Sequence, residues 1–561
     1  MSDLAGVGAS PGVAIGPVVV VGSDSVTLDQ IDDPIPQLET SAANVSAKLG
    51  ALADDARSAG REAAGDVLQA QSLIAEDDMI DDAVSEHLDE GLGLDEAFDA
   101  ASTQLEQLLA SLPDPYLAAR AADVGEVMSA IKRDMAGGGD SDGIALSEPS
   151  ILVAEELTAA ETAGLDVDMV LGFATTTGGA TSHVAIIARS LGVPAVVGVV
   201  GLLDQDFAHA CLDGANGEFH AAPSDELIAE FEERQRSNAA LASRLEAVRG
   251  ARVDLAGRAI AVPANVASGD DIDRAVDVAS DGVGLFRTEF LFLDVAEPPT
   301  EEAQYELYAR AAKAWDDTVV IRTFDIGGDK PADYLDMPEE ENPFLGQRGV
   351  RIYDQFPDMI DGQLRAALRA AAHGKVAVMV PMVATVDEFL GVKARVATQR
   401  AALEDAGVEI GPIELGVMVE VPSVALIAEV FAEHVDFFSI GTNDLTQYTM
   451  AADRMLGSLS DLHDPLHPAI LHLCHMVAKA AAPKGKSVSV CGLAASDPLA
   501  ATIFGAIGIN KLSVSANAVN LIKATLAAQS PDIVDRVHEV LSSASSAAEV
   551  RAALEPHLQR P

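Results

Sequence analysis

The chain has 561 residues, and its 88 Asp and Glu against 36 Lys and Arg give a formal net charge of −52. This composition excludes a general nucleic-acid-binding protein, because binding the phosphate backbone requires a basic face. The three widely spaced cysteines, Cys211, Cys474 and Cys491, predict neither a disulfide framework nor a zinc cluster.

The sequence also predicts a cytoplasmic protein without membrane insertion. Its N-terminus lacks a basic segment followed by an apolar run, and no apolar stretch of membrane-spanning length is free of charges and helix breakers. The acidic residues are spread along the whole chain, which predicts a halophilic protein that works in concentrated salt. At 1 M salt the Debye length is about 3 Å, so the charges repel one another weakly. An ordinary acidic cytoplasmic protein is the alternative.

The first half of the chain predicts several kinds of structure in turn. Gly and Pro between short Val-rich runs predict strands and turns over 6–21. Apolar residues at helical spacing over 36–135 predict a helical subdomain, which three glycines at 137–139 close. Strand signals return over 143–220 and predict a small α/β domain. The charged, Ala- and Leu-rich segment 225–249 predicts a connecting helix.

The remainder of the chain predicts a (β/α)8 barrel, because short Val- and Ile-rich runs alternate there with helical stretches. The eight predicted strands are 260–264, 282–286, 319–323, 376–380, 415–419, 436–440, 487–490 and 511–514. An open doubly wound sheet is the alternative, but no G-x-G-x-x-G follows its first strand.

Polar residues follow these predicted strands at the end where barrel enzymes carry their active sites. They are Arg287, Glu289, Arg322, Asp325, Glu420, Asn443, Asp444 and Cys491, with Arg348 and Arg454 in long loops. Glu420 and Asp444 are hard oxygen donors on adjacent strands and predict a Mg²⁺ site that water and substrate complete. The four arginines could converge on a multiply anionic ligand, which is what phosphoryl transfer requires.

Each of these residues also has a simpler explanation when taken alone. An arginine is most often a solvated or salt-bridged surface residue, and Glu420 could be a buried acid paired with one of them. Cys491 could be a small core residue. Their joint occurrence at the strand ends of a predicted barrel favours a functional site over these explanations.

A second candidate site lies in the small α/β domain, around His183. Gly178 and Gly179 predict a tight turn, and Thr181 or Ser182 can cap a helix that begins near His183. A histidine at a helix N-terminus is kept neutral by the helix dipole, and negative charge on it after phosphorylation is stabilised. A histidine that only assists capping is the alternative, and the Gly-Gly-x-Thr-Ser-His context favours the functional interpretation.

These runs resemble a known family over nearly the whole chain. The run from Gly178 resembles the phosphohistidine motif of phosphoenolpyruvate-utilising enzymes, G-G-A-T-S-H-V-A-I-I-A-R-S. The barrel runs resemble those of the Enzyme I family of the phosphoenolpyruvate-dependent sugar phosphotransferase system. They are G-L-F-R-T-E-F-L-F, R-T-F-D-I-G-G-D-K, E-N-P-F-L-G-Q-R, G-V-M-V-E-V-P and D-F-F-S-I-G-T-N-D-L-T-Q-Y-T.

The resemblance implies a multidomain α/β architecture with boundaries that we state as expectations. Residues 1–35 with 143–222 would form the phosphohistidine α/β domain, and 36–142 an inserted helical subdomain that binds the carrier protein. Residues 223–252 would be a linker helix, and 253–561 a phosphoenolpyruvate-binding (β/α)8 TIM barrel that dimerises.

The resemblance also implies a role for each candidate site residue. His183 would be the phosphorylated nucleophile, and Cys491 the acid that protonates the enolate to give pyruvate. Glu420 and Asp444 would hold Mg²⁺. Phosphoenolpyruvate would be bound by Arg287, Arg322, Arg348, Asn443, Asp444 and Arg454. The phosphoryl group would pass from His183 to the phosphocarrier protein HPr, and the enzyme would be a homodimer.

Two positions depart from the family pattern, and two other functions are alternatives. Leu493 stands where the family usually has Glu, and Val421 where Thr is common. A phosphoenolpyruvate synthase or pyruvate phosphate dikinase would need a large ATP-grasp domain before the histidine, for which the chain offers too few residues. A sensor without turnover would be expected to have lost His183, Cys491 or a metal carboxylate, and all are present.

Overall fold

A computed structural model describes residues 2–561 except 23–25, 29–30, 32–33, 59–61, 112–120, 138–143, 145, 159–160, 163–164, 180–181, 205–206, 294, 329, 331, 333 and 339. The chain forms two compact units, Met1–Ala240 and Leu241–Pro561. Among the helices in the described part of the chain, none is both long and apolar enough to cross a bilayer.

Helices of the first unit form an apolar core of their own. They are α1 (Ile35–Ser58), α2 (Glu62–Ala75), α3 (Met79–Asp89), α4 (Leu94–Ala110) and α5 (Ala121–Met135). In α1 the buried residues Leu38, Val45 and Leu49 recur at helical spacing, and this face packs against α2 and α5. The helical periodicity of the sequence is therefore confirmed here. Of the predicted joint at 137–139, Gly137 follows α5 with a φ of 73°, and the other two glycines lie outside the described residues.

The first unit also contains a mixed β-sheet. Its strands are β1 (Ser2–Ala5), β2 (Val7–Ser10), β3 (Val13–Val21), β4 (Ser150–Ala154), β5 (Val170–Thr175), β6 (Ala195–Val197), β7 (His209–Asp213) and β8 (Glu218–Ala221). They lie in the order β1-β8-β7-β3-β4-β5-β6-β2. Strands β3 to β6 run parallel, and their apolar faces pack against the helix α6 (His183–Leu191). The sheet therefore fixes the start of this helix beside β5 and β6.

A long helix, α7 (Asp225–Ala247), follows the last strand of this sheet. Its one buried side chain is Phe231, and Arg234 ties it to the β7–β8 hairpin through ion pairs with Asp213 and Glu218. The sequence predicted this helix to within two residues at its C-terminal end.

The described residues of the second unit form a closed parallel barrel. Its strands are β11 (Ala264–Val266), β12 (Val283–Arg287), β13 (Val319–Arg322), β14 (Val376–Val380), β15 (Ile413–Val419), β16 (Phe437–Ile440), β17 (Ser487–Val490) and β18 (Lys511–Leu512). Parallel bridges from Ala261 to Lys511 and from Ala264 to Val514 close the barrel. All five residues of β14 are buried, as expected for a parallel strand that is covered on both faces.

The first barrel strand differs from the prediction of 260–264. Ile260 ends β10 (Arg258–Ile260), which forms an antiparallel ribbon with β9 (Val253–Leu255). Pro263 has no N–H to donate to a ladder, so regular pairing resumes only at Ala264. The bridge at Ala261 nevertheless keeps this segment in the barrel wall.

Helices surround the barrel and begin at recognisable caps. They are α8 (Gly269–Asp277), α9 (Glu301–Ala314), α10 (Pro357–Ala370), α11 (Val386–Asp405), α12 (Pro422–Leu426), α13 (Ala428–Phe431), α14 (Thr442–Met450), α15 (Pro468–Ala481), α16 (Pro498–Ala506), α17 (Val519–Ala528), α18 (Ile533–Ser543) and α19 (Ala547–Leu554). Capping boxes begin α8 at Ser268 and α11 at Thr385. The multidomain α/β fold with a TIM-type barrel that the sequence predicted is thus confirmed, while the individual domain boundaries stay predictions.

Candidate active site

The strand ends of the barrel bring the predicted site residues to one rim. Arg287 ends β12 and pairs in register with Arg322, which ends β13. Glu420 follows β15, and Cys491 follows β17. Asn443 and Asp444 lie in the first turn of α14, directly after β16. Parallel strands place these ends at the same face of the barrel, so the residues form one site.

Arg322 lies at the centre of an ion-pair network. Its Nη2 donates to Glu289 Oε1, its Nη1 lies 4.0 Å from Asp325 Oδ2, and all three side chains are buried. The ammonium of Lys330 lies 4.0 Å from the same two carboxylates. Although burial favours the neutral form, Glu289 and Asp325 raise the pKa of the Arg322 guanidinium above its usual range.

Arg348 is held by Asp325 in a two-point contact. Arg348 Nε lies 3.1 Å from Oδ1 and Nη2 lies 2.6 Å from Oδ2, while Nη1 is 3.8 Å from Asp444 Oδ1. Burial would raise the pKa of Asp325, but the guanidinium groups of Arg348 and Arg322 overcome this and hold that pKa well below its usual range. Arg348 is thus a fixed positive charge next to the candidate metal carboxylate.

Glu420 has one engaged oxygen and one without a partner. Its Oε1 accepts a hydrogen bond from the Met382 amide, whose residue has a left-handed φ of 58°. Its Oε2 is buried and has no hydrogen-bond partner among the described residues. Burial and repulsion from Asp444 and Asp325 raise the pKa of Glu420 to about 8. An unsatisfied buried carboxylate oxygen is costly in the apo protein, so this oxygen is suited to a cation.

Asp444 connects the carboxylates to the loop after α14. Its Oδ1 lies 3.1 Å from Arg454 Nη1, and the Arg454 amide donates to Gln447 Oε1 over 3.1 Å. The guanidinium carbon of Arg454 lies 5.4 Å from the centre of the Phe344 ring. These contacts orient the Arg454 side chain across the rim.

The Cys491 thiol lies among buried atoms on the inner side of the rim. Ser439 Oγ donates to Cys491 Sγ over 3.3 Å, and Sγ lies 3.6 Å from the Ile440 carbonyl oxygen. Burial raises the pKa of the thiol, and the Ser439 hydrogen bond and the charge of Arg322 oppose this rise. Two residues on, Leu493 is 68% exposed, so the family's usual glutamate position faces solvent here.

Arg287 and Asn443 carry hydrogen-bond donors that remain available for a ligand. Arg287 is half-buried and Asn443 is exposed, and within the described part of the chain neither side chain makes a hydrogen bond or an ion pair. Arg454 keeps part of its guanidinium exposed. The rim therefore offers both charged and amide donors to a bound anion.

When Glu420 is ionised, the charges at the rim nearly balance. The five cations Arg287, Arg322, Lys330, Arg348 and Arg454 face the four carboxylates Glu289, Asp325, Glu420 and Asp444. Within the described residues, no group of three or more His, Cys, Asp or Glu side chains is arranged to hold a metal ion. Glu420 and Asp444 would thus supply only two protein ligands, as is common for Mg²⁺ that shares its shell with water and substrate oxygens.

The histidine site lies in the first unit. The helix α6 begins at His183, and Ser182 is its N-cap, with Oγ accepting from the Ala185 amide over 3.4 Å. Gly178 has a φ of 96°, as the predicted tight turn requires. Thr181 and the side chain of His183 lie outside the described part of the structure, so the role of His183 stays a prediction.

Sequence reasoning did not assign roles to several residues that build this site. Glu289 and Asp325 stood out at the strand ends, but nothing showed that they anchor Arg322 and Arg348. Lys330 belongs to a recognised run, yet its position between two carboxylates depends on the loop conformation. The Met382 amide is a backbone group and has no sequence signal, and Ser439 lies inside an ordinary strand.

Three family models match the chain. They describe a phosphoenolpyruvate-utilising enzyme's N-terminal domain over residues 5–120, its mobile domain over 146–217 and its phosphoenolpyruvate-binding domain over 244–530. The last of these contains every candidate residue of the barrel rim, and the second contains His183. The fold and site thus define an enzyme that uses phosphoenolpyruvate.

Curated relatives narrow this class. Phosphoenolpyruvate-protein phosphotransferases from Priestia megaterium and Geobacillus stearothermophilus are 36% and 37% identical, over 97% of this chain and 97% and 96% of their own. One from Haloferax volcanii is 41% identical over 84% of each chain. The chain belongs to the phosphoenolpyruvate-protein phosphotransferase family.

Proposed function

We propose that the barrel rim binds phosphoenolpyruvate with Mg²⁺, that the phosphoryl group passes to His183, and that the histidine then phosphorylates the carrier protein HPr. The observation that carries the proposal is that Arg287, Arg322 and Arg454 share one end of the barrel with the carboxylates Glu420 and Asp444, where Arg454 contacts Asp444 and the charge of Arg322 acts on Glu420. Phosphoryl transfer depends mostly on positioning and on charge stabilisation, and this arrangement supplies both. Because phosphoenolpyruvate is a cytoplasmic metabolite, the proposal places the enzyme in the cytoplasm.

The substrate has a phosphate and a carboxylate, and the rim has donors for each. Arg287, Arg322, Asn443 and Arg454 are assigned to direct contact with these groups. Arg348 is fully buried and engaged by Asp325, so its contribution is a fixed charge beside Asp444. The five cations and four carboxylates leave one excess positive charge at the rim. Mg²⁺ and the trianionic substrate together carry about one negative charge, so the loaded rim would be close to neutral.

Glu420 and Asp444 fit the metal that the family implies. Glu420 Oε2 is buried without a partner, and repulsion between these two carboxylates would be relieved by a cation. When bound, Mg²⁺ would stabilise negative charge on the phosphoryl and enolate oxygens. The Met382 amide and Arg454 hold the two carboxylates in place for it.

The proposed chemistry has two steps. A ring nitrogen of His183 attacks phosphorus, so that a P–N bond forms and the P–O bond to the enol carbon breaks. The enolate of pyruvate remains at the rim, where the Cys491 thiol donates its proton to the methylene carbon and pyruvate is formed. Arg322 and Arg287 face the thiol and favour the thiolate that is left.

The helical subdomain is the proposed docking surface for HPr. Leu73 on α2 is 59% exposed and is the most exposed large apolar side chain among the described residues of this subdomain. We expect Leu73→Asp to slow transfer from phosphorylated enzyme to HPr while leaving self-phosphorylation unchanged. Leu108→Asp on α4, where Leu108 is 54% exposed, is the matched control. Unchanged phosphoryl transfer to HPr in the Leu73 variant would show that the docking surface does not include Leu73.

The proposed homodimer has a candidate surface on the barrel. Leu426, Ile427, Val430 and Met476 are exposed on α12, α13 and α15 and the turn between them, and these helices contact one another. An apolar patch of this kind is unusual on a chain of such negative charge and suits a second copy. We expect Val430→Asp to shift the mass measured by light scattering from dimer to monomer. The exposed Val276, on α8, provides the control Val276→Asp.

The central experiment is phosphorylation with radiolabelled phosphoenolpyruvate and Mg²⁺ in molar KCl. We expect acid-labile, alkali-stable label on the wild-type protein, together with released pyruvate, and no label on His183→Ala. His209→Ala, which removes an exposed histidine at the start of β7, should retain the label. Equal label on the His183 variant would contradict the proposed acceptor.

A further inference from the structure

The buried hydroxyl of Ser439 has an unusual partner. Ser439 is fully buried in β16, and within the described residues the side-chain hydrogen bond of its Oγ is the one to Cys491 Sγ, at 3.3 Å. A thiol sulfur is a weak acceptor, so this contact compensates poorly for the loss of water around a hydroxyl. Alanine would fill the same position without the desolvation of a hydroxyl, which suggests that the serine is present for its contact with the thiol.

Neighbouring interior serines differ from Ser439 in this respect. Ser489, on β17 and in register with Ser439, donates to the Phe438 carbonyl over 3.4 Å. Ser513 donates to Asn265 Oδ1 over 2.6 Å. Both hydroxyls thus bind strong oxygen acceptors, whereas Ser439 is turned to the sulfur. A general preference for small polar residues inside the barrel does not explain that choice.

The Cys491 sulfur has one hydrogen-bond donor and one acceptor beside it. With Ser439 donating to the sulfur, the thiol hydrogen points to the Ile440 carbonyl, 3.6 Å away. When the S–H bond breaks and the proton forms a C–H bond at the enolate methylene carbon, negative charge stays on sulfur. The Ser439 hydrogen bond then becomes a bond to an anion, which is stronger than one to a neutral thiol.

We propose that Ser439 is a positioning residue that holds the Cys491 sulfur and stabilises the thiolate left by proton donation. This inference rests on the proposed role of Cys491 as the acid. Arg322 and Arg287 also favour the thiolate, while Glu420 and burial oppose it. Ser439 is a neutral donor in direct contact with the sulfur, and it adds no charge to the substrate site.

The test is the exchange of the methyl protons of pyruvate for deuterium, followed by NMR with Mg²⁺ and the full-length protein between pH 6 and 10. In this direction the thiolate takes a proton from pyruvate, and the thiol formed exchanges with solvent and returns deuterium. The rate should rise with pH and level off where the thiol is ionised. We expect Cys491→Ser to abolish the exchange.

Ser439→Ala should slow the exchange at neutral pH by about 10- to 100-fold, as expected for losing a hydrogen bond to a charged group. Its inflection should move up by about one to two pH units, because the lost bond favoured the thiolate. Ser439→Thr keeps the hydroxyl and should recover most of the rate, and Ser489→Ala should resemble wild type. Ser439→Ala should not unfold at a lower midpoint than wild type, which separates this effect from a loss of structure.

The inference is overturned if Ser439→Ala exchanges like wild type, if Ser489→Ala shifts the inflection equally, or if Cys491→Ser retains exchange. The exchange does not use His183 or the phosphoryl group. Missing label on His183 together with a normal Ser439 effect would therefore contradict the proposed phosphoryl acceptor and leave the role of Ser439 standing.

Discussion

Asp325 accepts hydrogen bonds from Arg348 through both of its carboxylate oxygens, and neither side chain is exposed to solvent. Arg348 in turn lies 3.8 Å from Asp444, one of the two carboxylates assigned to Mg²⁺. A fixed charge thus connects the end of β13 to the first turn of α14. We propose that this pair contributes to activity by holding the rim in one arrangement before substrate arrives.

We expect Asp325→Asn to reduce both stability and activity. The variant leaves the buried Arg348 charge without its counter-ion, which should lower the free energy of unfolding by about 3–5 kcal/mol. It should also raise KM for phosphoenolpyruvate, because Arg322 and Arg348 lose their anchor. Chemical unfolding and pyruvate release measure the two effects.

Lys523→Met is the matched control for this variant. It breaks another buried ion pair, in which Lys523 Nζ lies 2.9 Å from Asp281 Oδ1 at the opposite end of β12. We expect similar destabilisation with KM unchanged. An equal change of KM in both variants would mean that Asp325 acts only through stability.

Glu420→Gln should separate metal binding from structure. Glutamine keeps an oxygen that accepts from the Met382 amide, but it removes the charge and the partnerless oxygen that suit Mg²⁺. The Mg²⁺ concentration for half-maximal activity should rise about tenfold or more, because mutating even an outer-shell partner of a metal typically costs about 10- to 100-fold in affinity. The free energy of unfolding without metal should stay the same or rise, because glutamine is not repelled by the neighbouring carboxylates Asp444 and Asp325. An unchanged Mg²⁺ requirement would exclude Glu420 as a ligand.

Much of the fold could be predicted because the barrel strands are buried on both faces. The run of β14, for example, is apolar throughout, and Lys375 and Pro381 on either side of it mark its two ends in the sequence. The first strand was misplaced because Pro263 interrupts its ladder and a short ribbon precedes it. Ile260 at the end of the ribbon runs directly into the apolar residues Ala261 and Val262, so composition alone could not separate the ribbon from the barrel strand.

The residues of the site could be predicted from the sequence, but the ion pairs and hydrogen bonds between them could not. Strand-end position marks Arg322 and Glu420, because a parallel barrel brings those ends together. Which carboxylate binds which guanidinium depends on loop conformation, as the return of the long loop to place Arg348 on Asp325 shows. The left-handed backbone at Met382 is also a product of tertiary structure, since methionine does not favour it.

Acid should weaken one contact between the C-terminal helix α19 and the barrel. Arg551 donates to both oxygens of Asp464, at 2.8 and 3.1 Å. Burial would raise the pKa of Asp464, but the bonds from Arg551 and from the Leu466 amide lower it overall. A lowered folded-state pKa contributes stability above the unfolded value near 3.8, and that contribution is lost as pH falls through the folded value.

We therefore expect Asp464→Asn to lower unfolding free energy at pH 7 by up to about 1 kcal/mol, because the pair is partly exposed. The difference from wild type should shrink below pH 4 and vanish once Asp464 is protonated in both states. Urea unfolding at several pH values measures it. A difference that does not shrink as pH falls below 4 would mean that the asparagine acts by packing and not through the charge.

Activity should rise with salt into the molar range. Phosphoenolpyruvate is a trianion that approaches a protein with a formal net charge of −52, so unscreened repulsion should slow association. Raising KCl from 0.1 to 2 M shortens the Debye length from about 10 Å to below 3 Å, which should lower KM for phosphoenolpyruvate. The few basic residues at the rim are close to the substrate, so their attraction should survive screening better than the distant repulsion.

Stability should follow the same trend, because repulsion among surface carboxylates is also screened. Measuring KM and the unfolding midpoint in KCl and in NaCl at matched ionic strength distinguishes screening from binding of a specific cation, since screening predicts equal effects of the two salts. A KM that is lowest near 0.1 M salt and rises above it would show that attraction at the rim dominates association. The acidic surface would then be no adaptation to concentrated salt.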